Sequence, residues 1–148
     1  MTLRKRRPGL VYPTHEDWHY VGDTGEPDWY DPGSGEAWEN AGVDRNLAFR
    51  VRESGIVDIH GYIAATSDPP SAAEIFLLPV GYRPSANTYY ASAGLTTASK
   101  YVPMVLVIGS SGYVSVLDAA TDPFPGASDA VQSIVIGIQM FLTPASAP

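Results

Sequence analysis

The chain contains no cysteine and only three histidines in 148 residues. The first absence excludes disulfides and every thiolate-based zinc or redox site, so stability has to come from packing or assembly. Long apolar runs are missing too. The longest, Val102 to Ile108, is far below the roughly 20 residues a membrane helix requires, and no membrane insertion is expected. No segment sustains a 3.6-residue apolar period over three turns, which argues against a helical fold. No phosphate loop, dinucleotide fingerprint or EF-hand is present, and Gly109-Ser110-Ser111-Gly112 is one residue short of a nucleophile elbow. No cofactor is expected.

The distribution of charge is uneven. Residues 1–9 carry four positive charges and no negative one; residues 10–44 carry nine acids and no Lys or Arg; residues 45–148 hold five bases against seven acids. Three segments follow: a short basic arm, an acidic aromatic stretch with Trp18, Trp29 and Trp38, and a nearly balanced body. The expected division is a docking arm and linker over 1–44 and a folded domain over 45–148. A net charge of -7 repels phosphate, so no nucleic-acid partner is expected. The Arg4-Lys5-Arg6-Arg7 cluster leads into Pro8-Gly9 rather than an apolar h-region, unlike a signal peptide.

His15-Glu-Asp-Trp-His19 matches H-E-x-x-H, in which two histidines on one helical face hold zinc and the glutamate acts as general base. Here Pro13 precedes the motif and Gly22, Gly25 and Pro27 follow it, leaving one or two helical turns at most. A solvated or docking turn is the expected outcome, with no metal. Asp23, Glu26, Asp28 and Asp31 lack the spacing of a defined calcium loop.

From Arg45 onward the pattern is that of strands. Leu47, Phe49 and Val51 alternate with Ala48, Arg50 and Arg52; Val57, Ile59 and Ile63 share one face of the next strand, with Asp58, His60 and Tyr62 on the other. Gly61 between them leaves room for a close approach. Ala73 to Leu78 reads as a strand ended by Pro79. A hairpin across Gly109 to Gly112 joins Val102–Ile108 to Gly112–Leu117, and Val131 to Leu142 closes the set with Ile134, Ile136, Ile138 and Met140 in register. Thirteen prolines and fourteen glycines suit short strands and tight turns, and the expected fold is an all-β antiparallel sandwich or jelly-roll-like domain. Asp58 and His60 share a face without a serine partner, so no catalytic residue is assigned. Ala, Val and Ile on both strand faces give more apolar surface than one thin sandwich buries, and a threefold interface would hide it. Tyr89 and Tyr90, placed on the loop after Arg83-Pro84, are candidates for stacking on sugar rings.

"LLPVGYRPS" is the most specific stretch: Pro79 ends a strand, Gly81 permits a turn, Tyr82 covers the edge and Arg83-Pro84 begins an extended segment. With "GDTGEPDW", "EAWENAG", "FRVRESGIVDIHGYI" and "SSGYVSVL", it resembles the C-terminal receptor-binding-type domains of bacteriophage tail fibres and minor tail proteins over about residues 22–142. The resemblance implies a homotrimeric β-sandwich on the virion, made in the host cytoplasm, that serves host adhesion or tail-tip assembly and is not an enzyme. No coiled coil, β-helix or collagen-like shaft precedes the domain, and a chain beginning "MTLRKRRPGL" is similar to a small minor tail protein docked at the tail tip. A capsid decoration trimer and a zinc or cell-wall hydrolase are the alternatives. Under the tail reading, Arg4, Lys5, Arg6, Arg7, Tyr12 and Trp18 would anchor the arm, out to about His19, in a groove of another virion protein. Tyr89 and Tyr90 would meet a host cell-surface glycan.

Overall fold

The computed structural model has nine antiparallel strands, several of them alternating apolar and polar residues, and describes residues 16–42, 45–52, 55–67, 72–96, 99–117 and 131–142. They are β1 (His19–Tyr20), β2 (Trp38–Asn40), β3 (Ala48–Arg52), β4 (Ile56–Ala65), β5 (Glu74–Leu77), β6 (Thr88–Thr96), β7 (Tyr101–Ile108), β8 (Tyr113–Val116) and β9 (Val131–Phe141). Hydrogen bonds connect them in the order β1-β3-β4-β9-β6-β7-β8-β5, while β2 pairs with β4 at Ile63–Ala65, beyond the stretch that β3 occupies. The expected all-β antiparallel architecture is present. Its ladders run through a single strongly curled sheet, a half-barrel, rather than two separately bonded sheets. The long strands β4, β9 and β6 carry the twist that bends the sheet round its own core.

The concave face holds the core. Val57, Ile59 and Ile63 of β4 and Ile134, Ile136, Ile138 and Met140 of β9 are all buried, as the period-2 pattern predicts. Phe49 of β3 stacks on Phe76 of β5 with ring centroids 5.8 Å apart, so strands near opposite ends of the sheet meet across the interior. Trp38 is fully buried and its indole N–H donates to the Ala72 carbonyl at 3.1 Å. At Gly61 of β4 the backbone just ahead of β3 comes close: a Cβ there would lie 2.6 Å from Leu47 Cα. The gap expected at Gly61 is filled by the backbone of Leu47.

The acidic aromatic stretch is woven into this sheet. β1 pairs with β3, the Val21 N–H donates to the Leu47 carbonyl at 3.0 Å, and a few residues later Trp29 bridges to Phe76 while the Tyr30 N–H bonds the Ile75 carbonyl at 2.8 Å. One short segment thus spans from the β3 end of the sheet to the β5 end. Residues 19–40, on the N-terminal side of the boundary expected at 44, complete the closure of the curl.

At the other end, Pro79 follows β5, and Leu78 donates to the Gly112 carbonyl at 2.9 Å and accepts from Arg83 Nε at 2.7 Å. Gly112 has a φ of 101°, and a side chain there would run into Arg83 and the Leu78 carbonyl. Both the turn and the contact require glycine.

Candidate functional site

Strand alternation at β1 separates two sets of polar groups. His19 pairs with Phe49 and points to the core side, stacking on that ring at 5.2 Å, whereas Trp18 before it lies on the convex side. Glu16, Asp17 and Trp18 form no helix, so the helical premise of the H-E-x-x-H motif is not met. Glu16 and Glu26 instead grip His19 from either side, Nε2 lying 2.9 Å from Glu16 and Nδ1 2.9 Å from Glu26. Glu16 also accepts from the Val51 N–H at 2.9 Å and from the Tyr82 hydroxyl. This clasp fastens the segment before β1 to β3 and to the turn after β5. Burial alone would lower the histidine pKa, but the hydrogen bonds and charges of the two carboxylates outweigh it and hold the imidazole above its ordinary value. Desolvation pulls Glu16 up, yet the bonds from Tyr82, Val51 and His19 leave it lowered. Burial and the adjacent Glu16 carboxylate push Tyr82 well up.

On the convex side, Trp18, Arg50, Arg52, Asp58, His60 and Gln139 line a shallow groove of about 630 Å³. The register explains the convergence: Arg50 faces Asp58 across β3 and β4, and Asp58 faces Gln139 across β4 and β9. The Arg50 guanidinium sits 4.2 Å above the Trp18 ring, and Trp18 meets His60 edge-on at 4.0 Å. Asp58 Oδ2 is 2.7 Å from Arg52 Nε and 3.6 Å from Arg50 Nε. Neither contact is aligned as a hydrogen bond, because both Nε atoms and His60 Nδ1 are buried without an aimed partner. Burial, then Arg45 and Arg50, lower the His60 pKa, with Asp58 opposing.

Of the docking residues expected from sequence, Arg4, Lys5, Arg6, Arg7 and Tyr12 lie outside the described residues. Trp18, expected to anchor on another protein, rests on this chain's own His60 and Arg50. The arm expected to dock on another virion protein out to about His19 is, from Glu16 onward, held to this chain. Tyr89 and Tyr90 are not a loop pair: both belong to β6, where consecutive side chains point to opposite faces. Tyr89 is 62% exposed, while Tyr90 packs against the core, so the two rings do not present a common stacking surface.

Tyr89 belongs to a broader feature. The outward residues of β6, β7, β8 and the first half of β9 fall in register: Val135, Ala93 and Pro103 form one row, Ala91 and Val105 the next, and Tyr89, Val107 and Ser115 another. Tyr101 is 80% exposed and Val135 52%, and none of these outward positions is Asp, Glu, Lys, Arg or His. Pro103 is tolerated in β7 because β8 pairs with β7 only at Leu106–Ile108.

The acids considered for calcium are directed elsewhere in part: Glu26 holds His19, and Asp31 accepts the Gly33 and Gly35 N–H groups at 2.7 and 3.0 Å. The groove was half legible in sequence, where Asp58 and His60 share a face, but its other members come from β3, from β9 and from a residue ahead of β1. No protein-family model, curated protein or solved structure matches the chain.

Proposed function

We propose that this chain is a non-enzymatic structural protein of a bacteriophage virion, a minor tail protein at the tail tip whose curled sheet forms a homotrimeric, receptor-binding-type sandwich domain. The observation that carries the reading is the uncharged convex face of β9, β6, β7 and β8. An antiparallel sheet with one face on the core ordinarily alternates to polar residues on the other. Here four strands at sheet spacing leave on the order of 400 Å² of contiguous apolar surface, within the roughly 300–600 Å² of the largest patch on a typical monomer, which is often functional. A second and third copy of the chain are the natural cover, since the patch is broad and without charge to select an unlike partner.

The order of "GDTGEPDW", "EAWENAG", "GIVDIHGYI" and "LLPVGYRPS" supports the tail assignment. The basic arm ahead of Glu16 supplies arginine forks for docking on a neighbouring virion protein. Host adhesion or tail-tip assembly is the work of such a domain, and fold alone does not choose between them.

Immunogold labelling of whole particles tests the reading. Label at the tail tip is the expected result; label on the head would replace it with a capsid decoration role. Deletion of residues 1–15, which leaves the clasp intact, is expected to preserve folding and oligomer mass while abolishing incorporation into particles.

A further inference from the structure

The convex groove carries chemistry that the assembly role does not use. Among the five Lys and Arg side chains of the described residues, Arg45, Arg50 and Arg52 gather at or beside it. In a chain of net charge -7 this is a local reversal of sign. Asp58 is the sole carboxylate paired with the two groove arginines among the described residues, so one anion serves two cations. Asp58 approaches only the buried Nε atoms, so the Nη groups, which make no hydrogen bond among the described residues, keep their donor capacity.

We propose that this groove is an oxyanion site, taking a carboxylate or phosphate group borne on a small polar molecule such as an acidic sugar unit. Arg50 and Arg52 would supply the forked donors, and a planar or tetrahedral oxyanion matches that geometry where a neutral hydroxyl would not. Trp18 forms an apolar wall for the body of the ligand. Gln139, exposed at the rim and in register with Asp58, offers an amide that both donates and accepts. The shallowness of the groove suits a ring or a short chain end. This inference rests on the adhesion reading for its biological use but not for its chemistry. A titration of the purified chain and the labelling of particles can therefore fail independently.

The test is a titration of the full chain with glucuronate, glycerol phosphate and glucose, followed through the Trp18 indole and His60 ring resonances. Both acids are expected to shift these signals saturably and glucose is not, and the tighter acid identifies whether a carboxylate or a phosphate is the better occupant. Charge variants then act in opposite directions. Arg52→Gln should weaken binding about tenfold through loss of a charge-assisted bond, while Asp58→Asn, which frees both arginines, should tighten it. A merely structural network would be weakened by both changes. Should Asp58→Asn fail to fold, Gln139→Glu adds a negative charge at an exposed rim position and is expected to weaken the acids severalfold. Equal responses to glucose and glucuronate, or acid binding that is indifferent to Gln139→Glu, would overturn the proposal.

Discussion

The convex surface of one sheet is divided into two halves that differ in kind. Where β3, β4 and the second half of β9 face outward, the residues are mainly polar, Arg50, Arg52, Asp58, His60 and Gln139, with Phe141 at the end of β9 the apolar exception; across β6, β7, β8 and the first half of β9 they are Tyr89, Ala93, Val105, Pro103 and Val135. The backbone is continuous through β9, and only the side chains change. The core beneath is equally apolar under both halves, with Ile138 and Met140 as buried below the polar half as Ile134 and Leu106 are below the other. Folding therefore does not explain the difference. The polar half is finished against water, while the apolar half leaves its side chains bare, the surface that the proposed trimer would cover.

The largest effect that would sharpen this contrast comes from placing a charge in the apolar half. Val105→Glu is expected to leave the isolated chain folded, because Val105 is 38% exposed and its side chain lies outside the core. It should reduce the proposed trimer to monomers, since an unpaired carboxylate in a dry interface costs several kcal/mol. Gln139→Glu, the matching change in the polar half, should leave the mass unaltered. Mass photometry at micromolar concentration decides the matter, and a wild-type chain that is already monomeric would break the comparison at its root.

A smaller contrast separates the neighbours Tyr89 and Tyr90. Tyr90→Ala removes a ring packed on the core and should cost about 1–3 kcal/mol of stability. Tyr89→Ala removes an outward ring and should change the unfolding midpoint little, while weakening assembly. Chemical denaturation of both variants alongside their masses checks this. Equal stability losses would mean that Tyr89 is covered within a single chain.

These two residues also show what the sequence concealed. β3, β4, β8 and β9 were legible because apolar residues facing the core, Phe49 in β3 and Ile or Val in the others, alternate there with Arg, Asp, Ser, Gln or exposed residues. β6 was not: in Thr88-Tyr-Tyr-Ala-Ser-Ala-Gly-Leu-Thr96 both faces are small or apolar, so the period-2 contrast vanishes. The absence of polar residues on its outer face, which suits the proposed interface, erased the pattern that marks a strand. β1 and β2 escaped for another reason, being two and three residues long and fixed by tertiary contacts rather than by local preference. The groove depended on register between strands distant in sequence, which Asp58 and His60 alone do not announce.

The smallest effect is at the clasp, which sits at the boundary where the chain leaves the core side for the polar half. His19 has a folded pKa above its ordinary 6.5, so its contribution is fully present below that value and is lost as pH rises through the raised one. Glu16 has a folded pKa below its ordinary 4.5, so its contribution is present above that value and is lost as pH falls through the lowered one. The clasp is therefore tightest between about pH 4.5 and 6.5 and loosens on either side. His19→Gln keeps a polar side chain but no charge, and at pH 5.5 it should cost roughly 1 kcal/mol, a shift of about 2–4 °C in melting temperature. The groove histidine has the opposite sign, its lowered pKa penalising acid, but it is common to both proteins and cancels when they are compared at each pH. Melting curves of wild type and variant at pH 5.5 and 9 give the measurement. The gap between them should narrow at the higher pH; a gap of unchanged size would mean that His19 acts through its stacking on Phe49 and not through the carboxylates that flank it.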